Sequence, residues 1–254
     1  MLLCIDLGNT NITLGLYDGN DLHSHWRIKT DHYKMPDEYG MLFLNLFAHA
    51  GRQPQNVTGT CMCSVVPPLT GILEQMCTLY FGQEPLIVDV GVKTGVRIRY
   101  DNPYEVGADR VVDAAAVYQL YGGPACVVDF GTATTFDAIS REGDYLGGAI
   151  APGIGIASEA LFSKAAKLTR VDLVRPPRPI GTNTVHAMQS GLIFGYVGLV
   201  EGMVARFRAE LGNDMRVIGT GGLAEIIARE TNAIQAVDPW LTLKGLRIVW
   251  ELNQ

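Results

Sequence analysis

Basic side chains are scarce: 20 Lys and Arg stand against 26 Asp and Glu, for a net charge of −6 over 254 residues. A nucleic-acid surface needs a basic face, so that class of function is set aside. Cysteine is scarce too, with five residues at Cys4, Cys61, Cys63, Cys77 and Cys126. Their number is odd, the Cys61/Cys63 spacing is not that of structural zinc, and Cys4 and Cys126 stand inside apolar strand-like runs. They read as small buried hydrophobes in a reducing compartment. No run approaches the ~20 apolar residues of a transmembrane helix. The stretch Met1 to Asp6 lacks a basic region and carries an aspartate where a signal sequence is apolar, so a cytoplasmic protein without membrane contact is expected. The five histidines (His23, His25, His32, His49 and His186) are scattered and form no H-x-x-x-H pair. His23 and His25 would share a strand face but lack a third ligand, so they are expected in a solvated loop. Ser64 precedes Val-Val-Pro rather than sitting in a nucleophile elbow. Trp26, Trp240 and Trp250 are too dispersed for a stacking platform, and the P-loop G-x-x-x-x-G-K-[ST] is absent.

What is present is apolar residue and glycine. A hydrophobic share of 48% against 18% charged residues supports a large core and argues against disorder. The length suits two modest lobes. Leu2 to Ile5 reads as a buried strand, and alternating Ile12, Leu14 and Leu16 as a second, closing on the turn Asp18-Gly19. Helical spacing runs from Asp37 to Ala50 with Gly51 as a stop, and Pro67-Pro68 is placed to open another helix. Strands are expected over Thr60 to Val66, Pro85 to Val90 and, half-buried, Val96 to Tyr100. Glu105 to Tyr121 reads as a helix that stops at Gly122-Gly123-Pro124.

After that stop the opening pattern returns. Cys4-Ile5-Asp6-Leu7-Gly8-Asn9 matches Val127-Val128-Asp129-Phe130-Gly131-Thr132, with strand patterns on both sides. This is an internal repeat at domain scale, and it divides the chain into residues 1–120 and 121–254. In the second half, helices are expected over Ala157 to Leu168, Val185 to Leu211 (interrupted by glycines) and Leu223 to Arg229. Val174 to Pro179 reads as a loop and Arg216 to Ile218 as a strand.

A strand that ends in Asp-apolar-Gly and turns straight back offers a loop of backbone N–H groups, and glycine lets that backbone approach a phosphate. Asn9, Thr10, Thr13, Thr132 and Thr134 add side-chain donors. The aspartates would hold a cation that meets the phosphates. One such turn is an ordinary hairpin. Two, one per half, match the plan of the Hsp70–actin–sugar kinase class. Gly219-Thr220-Gly221-Gly222-Leu223-Ala224 formally fits G-x-G-x-x-A, but too little chain follows for a doubly wound nucleotide domain. In the kinase plan these glycines form a platform against adenine or ribose. From Tyr100 to Arg110, polar residues crowd a helix entrance. Asp109 there could satisfy the helix dipole and Arg110 could pair with Asp113 or Asp101. Alternatively, Asp109 takes the proton of an attacking hydroxyl, Gly107 admits substrate, and Arg110 neutralises negative charge.

Taken together, Asp6-Leu7-Gly8-Asn9-Thr10, the Tyr100 to Arg110 run, Asp129-Phe130-Gly131-Thr132-Ala133-Thr134 and Gly181-Thr182-Asn183-Thr184 resemble type III pantothenate kinase over nearly the whole chain. The resemblance implies an α/β fold of two ribonuclease H-like lobes with mixed sheets flanked by helices and ATP in an interlobe cleft. It implies ATP-dependent phosphorylation of pantothenate, the first step toward coenzyme A. Asp6, Leu7, Gly8, Asn9, Thr10, Asn11, Ile12, Thr13 and Thr132 would contact ATP with its Mg²⁺. Asp109 would be the proton acceptor, and Tyr100, Gly107, Ala108, Asp109 and Arg110 would shape the pantothenate pocket. Asp129 would ligate a monovalent cation, K⁺ or NH₄⁺. Thr184 would reach pantothenate from the partner subunit of a homodimer. Another small-molecule kinase or phosphohydrolase of the superfamily is the alternative, as is a nucleotide-binding regulator on the same scaffold.

Overall fold

The structure, a computed structural model, describes residues 1–165 and 167–254. The described residues fall into two units: residues 1–97, 101–116 and 242–254, and residues 98–100 and 117–241.

In the first unit β1 (Leu2–Leu7), β2 (Asn11–Asp18) and β3 (Asp21–Lys29) form an antiparallel meander. β4 (Gly59–Ser64) and β5 (Leu86–Ile87) add in parallel on the other side of β1, giving the order β3-β2-β1-β4-β5. α1 (Pro36–His49) and α2 (Pro67–Phe81) make the crossovers. Side chains alternate across a strand, so the sheet has two distinct faces. One carries Leu3, Ile5, Leu7, Ile12 and Leu14 into a core with Tyr39, Phe43, Leu69 and Leu73. The other carries Cys4, Asp6, Thr13, Cys61 and Cys63, because paired residues share a face. Against this second face lies α7 (Leu241–Leu252). A Cβ at Gly15 would press on Leu243, and one at Gly59 would overlap the Trp250 indole. Gly245 in turn lies against the Val112 backbone of α3 (Ala108–Tyr121).

The second unit repeats this sheet strand for strand. β6 (Ala125–Phe130), β7 (Ala133–Ile139) and β8 (Tyr145–Pro152) form the meander, and β9 (Arg216–Thr220) and β10 (Ala236–Val237) the parallel side, in the order β10-β9-β6-β7-β8. α4 (Ile154–Lys164), α5 (Thr184–Leu211) and α6 (Ala224–Ala228) complete it. Its core joins Cys126, Val128, Phe130 and Phe136 to Met188, Leu192, Ile193, Val197 and Val200 of α5. By length and composition alone α5 is apolar enough to cross a membrane, which the count of apolar runs did not anticipate. Its apolar stripe is spent on this core instead.

Several elements depart from expectation. The Val96–Tyr100 strand reduces to one bridge, Ile98 with Tyr145, in a segment bracketed by Gly95 (φ +77°) and Pro103. The strand expected from Pro85 shrinks to Leu86–Ile87. β3 replaces the solvated loop expected around His23 and His25: its outward positions are polar, and only the inward Trp26 and Ile28 reach the core. α5 runs unbroken through its glycines. The helix expected over Ala157 to Leu168 is α4, displaced to start at Ile154, and position 166 lies outside the described residues. The division at 120/121 also has no place for the return of residues 242–254 to the first unit.

Candidate active site

Asp6 is the penultimate residue of β1, and Asp129 holds the same position in β6. After each, the chain turns through exposed residues: Asn9 and Thr10 in the first hairpin, Gly131 and Thr132 in the second. The first turn is closed by Gly8 N–H donating to Asn11 O (3.1 Å), and a Cβ at Gly8 would sit 3.0 Å from that oxygen. In the second, a Cβ at Gly153 would overlap the Thr132 and Gly131 carbonyls, so the start of α4 backs the turn. Two tight glycine-containing turns with exposed residues suit a phosphate-bearing ligand. Leu7 and Ile12 point into the core, which leaves their backbone alone for a ligand. Thr134 is fully buried on the face of Phe136, so its hydroxyl is not among the exposed donors of this turn.

Asp109 lies in the first turn of α3, where its Oδ1 accepts from the Arg110 N–H at 2.8 Å. A Cβ at Gly107 would stand 2.6 Å from the same Oδ1. Gly107 therefore makes room for the Asp109 carboxylate itself, a reason that sequence reasoning, which had it admit substrate, did not reach. Burial holds the Asp109 carboxyl above its ordinary range, although the Arg110 N–H and the guanidinium charge pull it down. Asp6 is pushed up to about 7, first by burial and then by the negative charge of Asp109, with the Cys63 thiol and Arg27 opposing. A cation beside these carboxylates would relieve the cost that burial and the Asp109 charge place on ionising Asp6.

Sequence reasoning gave no site role to three residues of this neighbourhood, and named Asp113 among them only as a possible ion-pair partner of Arg110. Cys63 pairs with Asp6 across β1 and β4, and its thiol donates to Asp6 Oδ1 at 3.6 Å. Burial, then the charges of Asp6, Asp109 and Asp113, hold that thiol far above its usual range, so it stays protonated as a donor. Arg27 pairs with Thr13, which pairs with Asp6, so the three form one row across the sheet. Asp113 is buried one turn beyond Asp109, and only its i,i+4 spacing hinted at a shared face.

In the second unit Asp129 pairs with Thr220, and a Cβ at Gly221 (φ +88°) would overlap Asp129 Oδ1 and the Phe130 backbone. Gly221 thus leaves room for the Asp129 carboxylate, a role the platform reading did not include. Tyr100 lies near Tyr145 with ring centroids 6.4 Å apart and the planes tilted by 46°, and a Cβ at Gly147 (φ +115°) would lie 3.2 Å from the Tyr100 ring. Tyr145 in turn donates to the buried Asp137 at 2.8 Å. Thr184 is exposed at the first turn of α5, after Asn183, whose side chain caps the helix by accepting from the His186 N–H at 2.9 Å. The structure therefore brings Asp6 and Asp109 together in the first unit and places Tyr100, Asp129, Thr132 and Thr184 in the second. Among the described residues no set of three or more His, Cys, Asp or Glu converges as a metal site.

Two mixed sheets of one topology, flanked by helices and each opening on an Asp-x-Gly hairpin, define the fold of the actin-like ATPases and sugar kinases. A Baf family protein from Campylobacter jejuni matches 99% of this chain and 98% of its own at 19% identity with a TM-score of 0.63. A ROK hexokinase from Thermus thermophilus matches 98% and 97% at 17% identity with a TM-score of 0.50. At such identities the likeness concerns the fold alone. The family model of type III pantothenate kinase matches residues 2–206. Type III pantothenate kinases of Moorella thermoacetica and Roseiflexus castenholzii are 58% and 54% identical to this chain, each alignment covering 100% of both sequences. The chain belongs to the type III pantothenate kinase family.

Proposed function

We infer that this chain transfers the γ-phosphoryl group of ATP to the hydroxyl of pantothenate, giving 4'-phosphopantothenate in the first step of coenzyme A biosynthesis. Identity of 58% along the whole chain carries this reading. The bond from the γ-phosphorus to the ADP oxygen breaks, a new phosphorus–oxygen bond forms to pantothenate, and the hydroxyl proton passes to Asp109. Family membership brings ATP and a divalent metal with it. Mg²⁺, when bound, supplies charge neutralisation on the phosphate oxygens.

The backbone of Asp6 to Thr13 and Thr132 holds the phosphates, and Asp6 anchors the shell of the divalent ion. Arg110 offsets negative charge on the substrate. Asp129, set against Gly221, ligates a monovalent cation, K⁺ or NH₄⁺. Tyr100, with Gly107, Ala108 and Arg110, shapes the pantothenate pocket. Thr184 serves the pocket of a second copy in a homodimer. That contact is supported by Gly191, Gly195 and Gly198 on α5, each facing open space where a Cβ would stand. Five unbridged, buried cysteines fit a reducing, cytoplasmic setting.

A coupled assay of ADP release with ATP and Mg²⁺ tests the reading. ADP release should depend on pantothenate and rise when K⁺ replaces a larger, inert cation. A folded sample that releases ADP equally without pantothenate sends the search to other hydroxyl substrates. The pocket assignment has its own test in Gly147→Ala. The new methyl group would press on the Tyr100 ring in a backbone conformation that suits glycine. The expected outcome is a rise of about fivefold or more in KM for pantothenate with KM for ATP unchanged. Unchanged KM values for both substrates would remove Tyr100 from the pocket.

A further inference from the structure

Thr30 stands just past the end of β3, 22 residues from Gly8, and no motif in the sequence draws attention to it. It is 4% exposed. Its hydroxyl donates to the Gly8 carbonyl at 2.6 Å, and its amide N–H donates to the Thr10 carbonyl at 3.0 Å. One residue therefore grips two of the three carbonyls of the turn between β1 and β2. With the Gly8 N–H to Asn11 O bond at 3.1 Å, these contacts fix the turn on three sides. Carbonyl oxygens repel phosphate and amides attract it. A turn holds phosphate better when carbonyls near the ligand are tied back and its remaining amides can face the ligand. We propose that Thr30 is a positioning residue for the phosphate-binding turn, holding the Gly8 and Thr10 carbonyls away from ATP so that the turn is preformed before ATP arrives.

The neighbouring residues explain why this position is stable. Asp31 N–H donates to the Tyr39 hydroxyl at 3.0 Å, and that hydroxyl donates to the Asp31 carbonyl at 2.8 Å, so α1 anchors the chain one residue beyond Thr30. Tyr39 is itself fully buried in the core of the first unit. The turn is thus tied through Thr30 to a rigid helix and not to solvent. Part of the entropy of ordering the turn is met on folding, which favours ATP binding.

This inference rests on the reading that the Gly8–Thr10 turn binds ATP, and the experiment separates the two. Thr30→Val keeps the size and the backbone N–H but removes the hydroxyl; Thr30→Ser keeps the hydroxyl. Gly8→Ala puts a Cβ against Asn11 O and tests the turn itself. Steady-state kinetics and ATP titration are run on the full chain, with a thermal melt for each variant. The expected result is a rise of about tenfold in KM and Kd for ATP in Thr30→Val, an unchanged KM for pantothenate, and recovery to within about twofold in Thr30→Ser. Should Thr30→Val not fold, Thr30→Ala removes the same hydroxyl with less bulk and carries the same expectation. Wild-type ATP affinity in Thr30→Val beside a weakened Gly8→Ala would overturn the role of Thr30 alone. Wild-type ATP affinity in Gly8→Ala would overturn the turn assignment and the inference with it. Equal losses for both substrates, a lowered melting temperature and no recovery with Ser would make Thr30 merely structural.

Discussion

Asp109→Asn is expected to fold as the parent does and to lose about 10²–10⁴-fold in turnover. Asparagine can still accept the Arg110 N–H at the start of α3, so the helix entrance keeps its hydrogen bond. What it cannot do is take a proton. The carboxylate of Asp109 suits that task because burial raises its proton affinity above that of an ordinary aspartate, toward working pH. KM for ATP should stay within about twofold, since the effect falls on the transition state rather than on binding. The acid limb of the kcat–pH profile should lie above the ordinary carboxylate value of about 4 in the parent and vanish in the variant. Turnover within about threefold of the parent would remove Asp109 from the role of base.

Asp6→Asn should combine a loss of activity with a gain of stability in the free protein. The folded-state value for Asp6 is about 7 against 3.8 in a model carboxyl, so the folded chain holds the proton more tightly than the unfolded chain. A carboxyl raised in this way costs nothing below the lower value. Its cost grows as pH rises between the two and is complete above the higher one. The variant should therefore be more stable than the parent at pH 8, by an amount on the order of 4 kcal/mol, and melt higher. The difference should shrink as pH falls and vanish near pH 4. Activity should fall by at least about a hundredfold if, as proposed, Asp6 anchors the shell of the divalent ion. Thermal melts of the ligand-free chain from pH 4 to pH 8 measure the first effect. A parent and variant that melt together across that range would show that Asp6 is not held above its ordinary range.

The repeat was legible because its period is written in local chemistry. Strand, Asp-apolar-Gly and returning strand recur in one order around Asp6 and Asp129, and the two sheets share one topology. The place of Asp109 at a helix entrance was legible for a similar reason, since the Gly-Ala-Asp-Arg opening puts an acid in the first turn, where backbone N–H groups lack intrahelical partners. β3 and β8 were not, because a polar outward face masks alternation in the one and glycine interrupts it in the other. Asp-x-Gly and helix-entrance motifs are short-range, and reading them needs no partner from elsewhere in the chain.

The sequence by itself thus determined the two-fold architecture, the two aspartate turns and the family. Only the tertiary structure decided what surrounds them. Gly107 serves the Asp109 carboxylate and Gly221 the Asp129 carboxylate; a sequence shows a glycine but not the atom that occupies the space its missing Cβ leaves. Cys63, Arg27 and Asp113 join Asp6 through strand register and helix packing. Thr30 reaches the turn between β1 and β2 because β3 folds back antiparallel to β2 and ends beside it. Residues 242–254 return to the first unit because Gly15, Gly59 and Gly245 leave bare backbone for Leu243, Trp250 and α3. Each of these depends on residues far apart in the chain meeting at atomic distance, which local pattern does not encode.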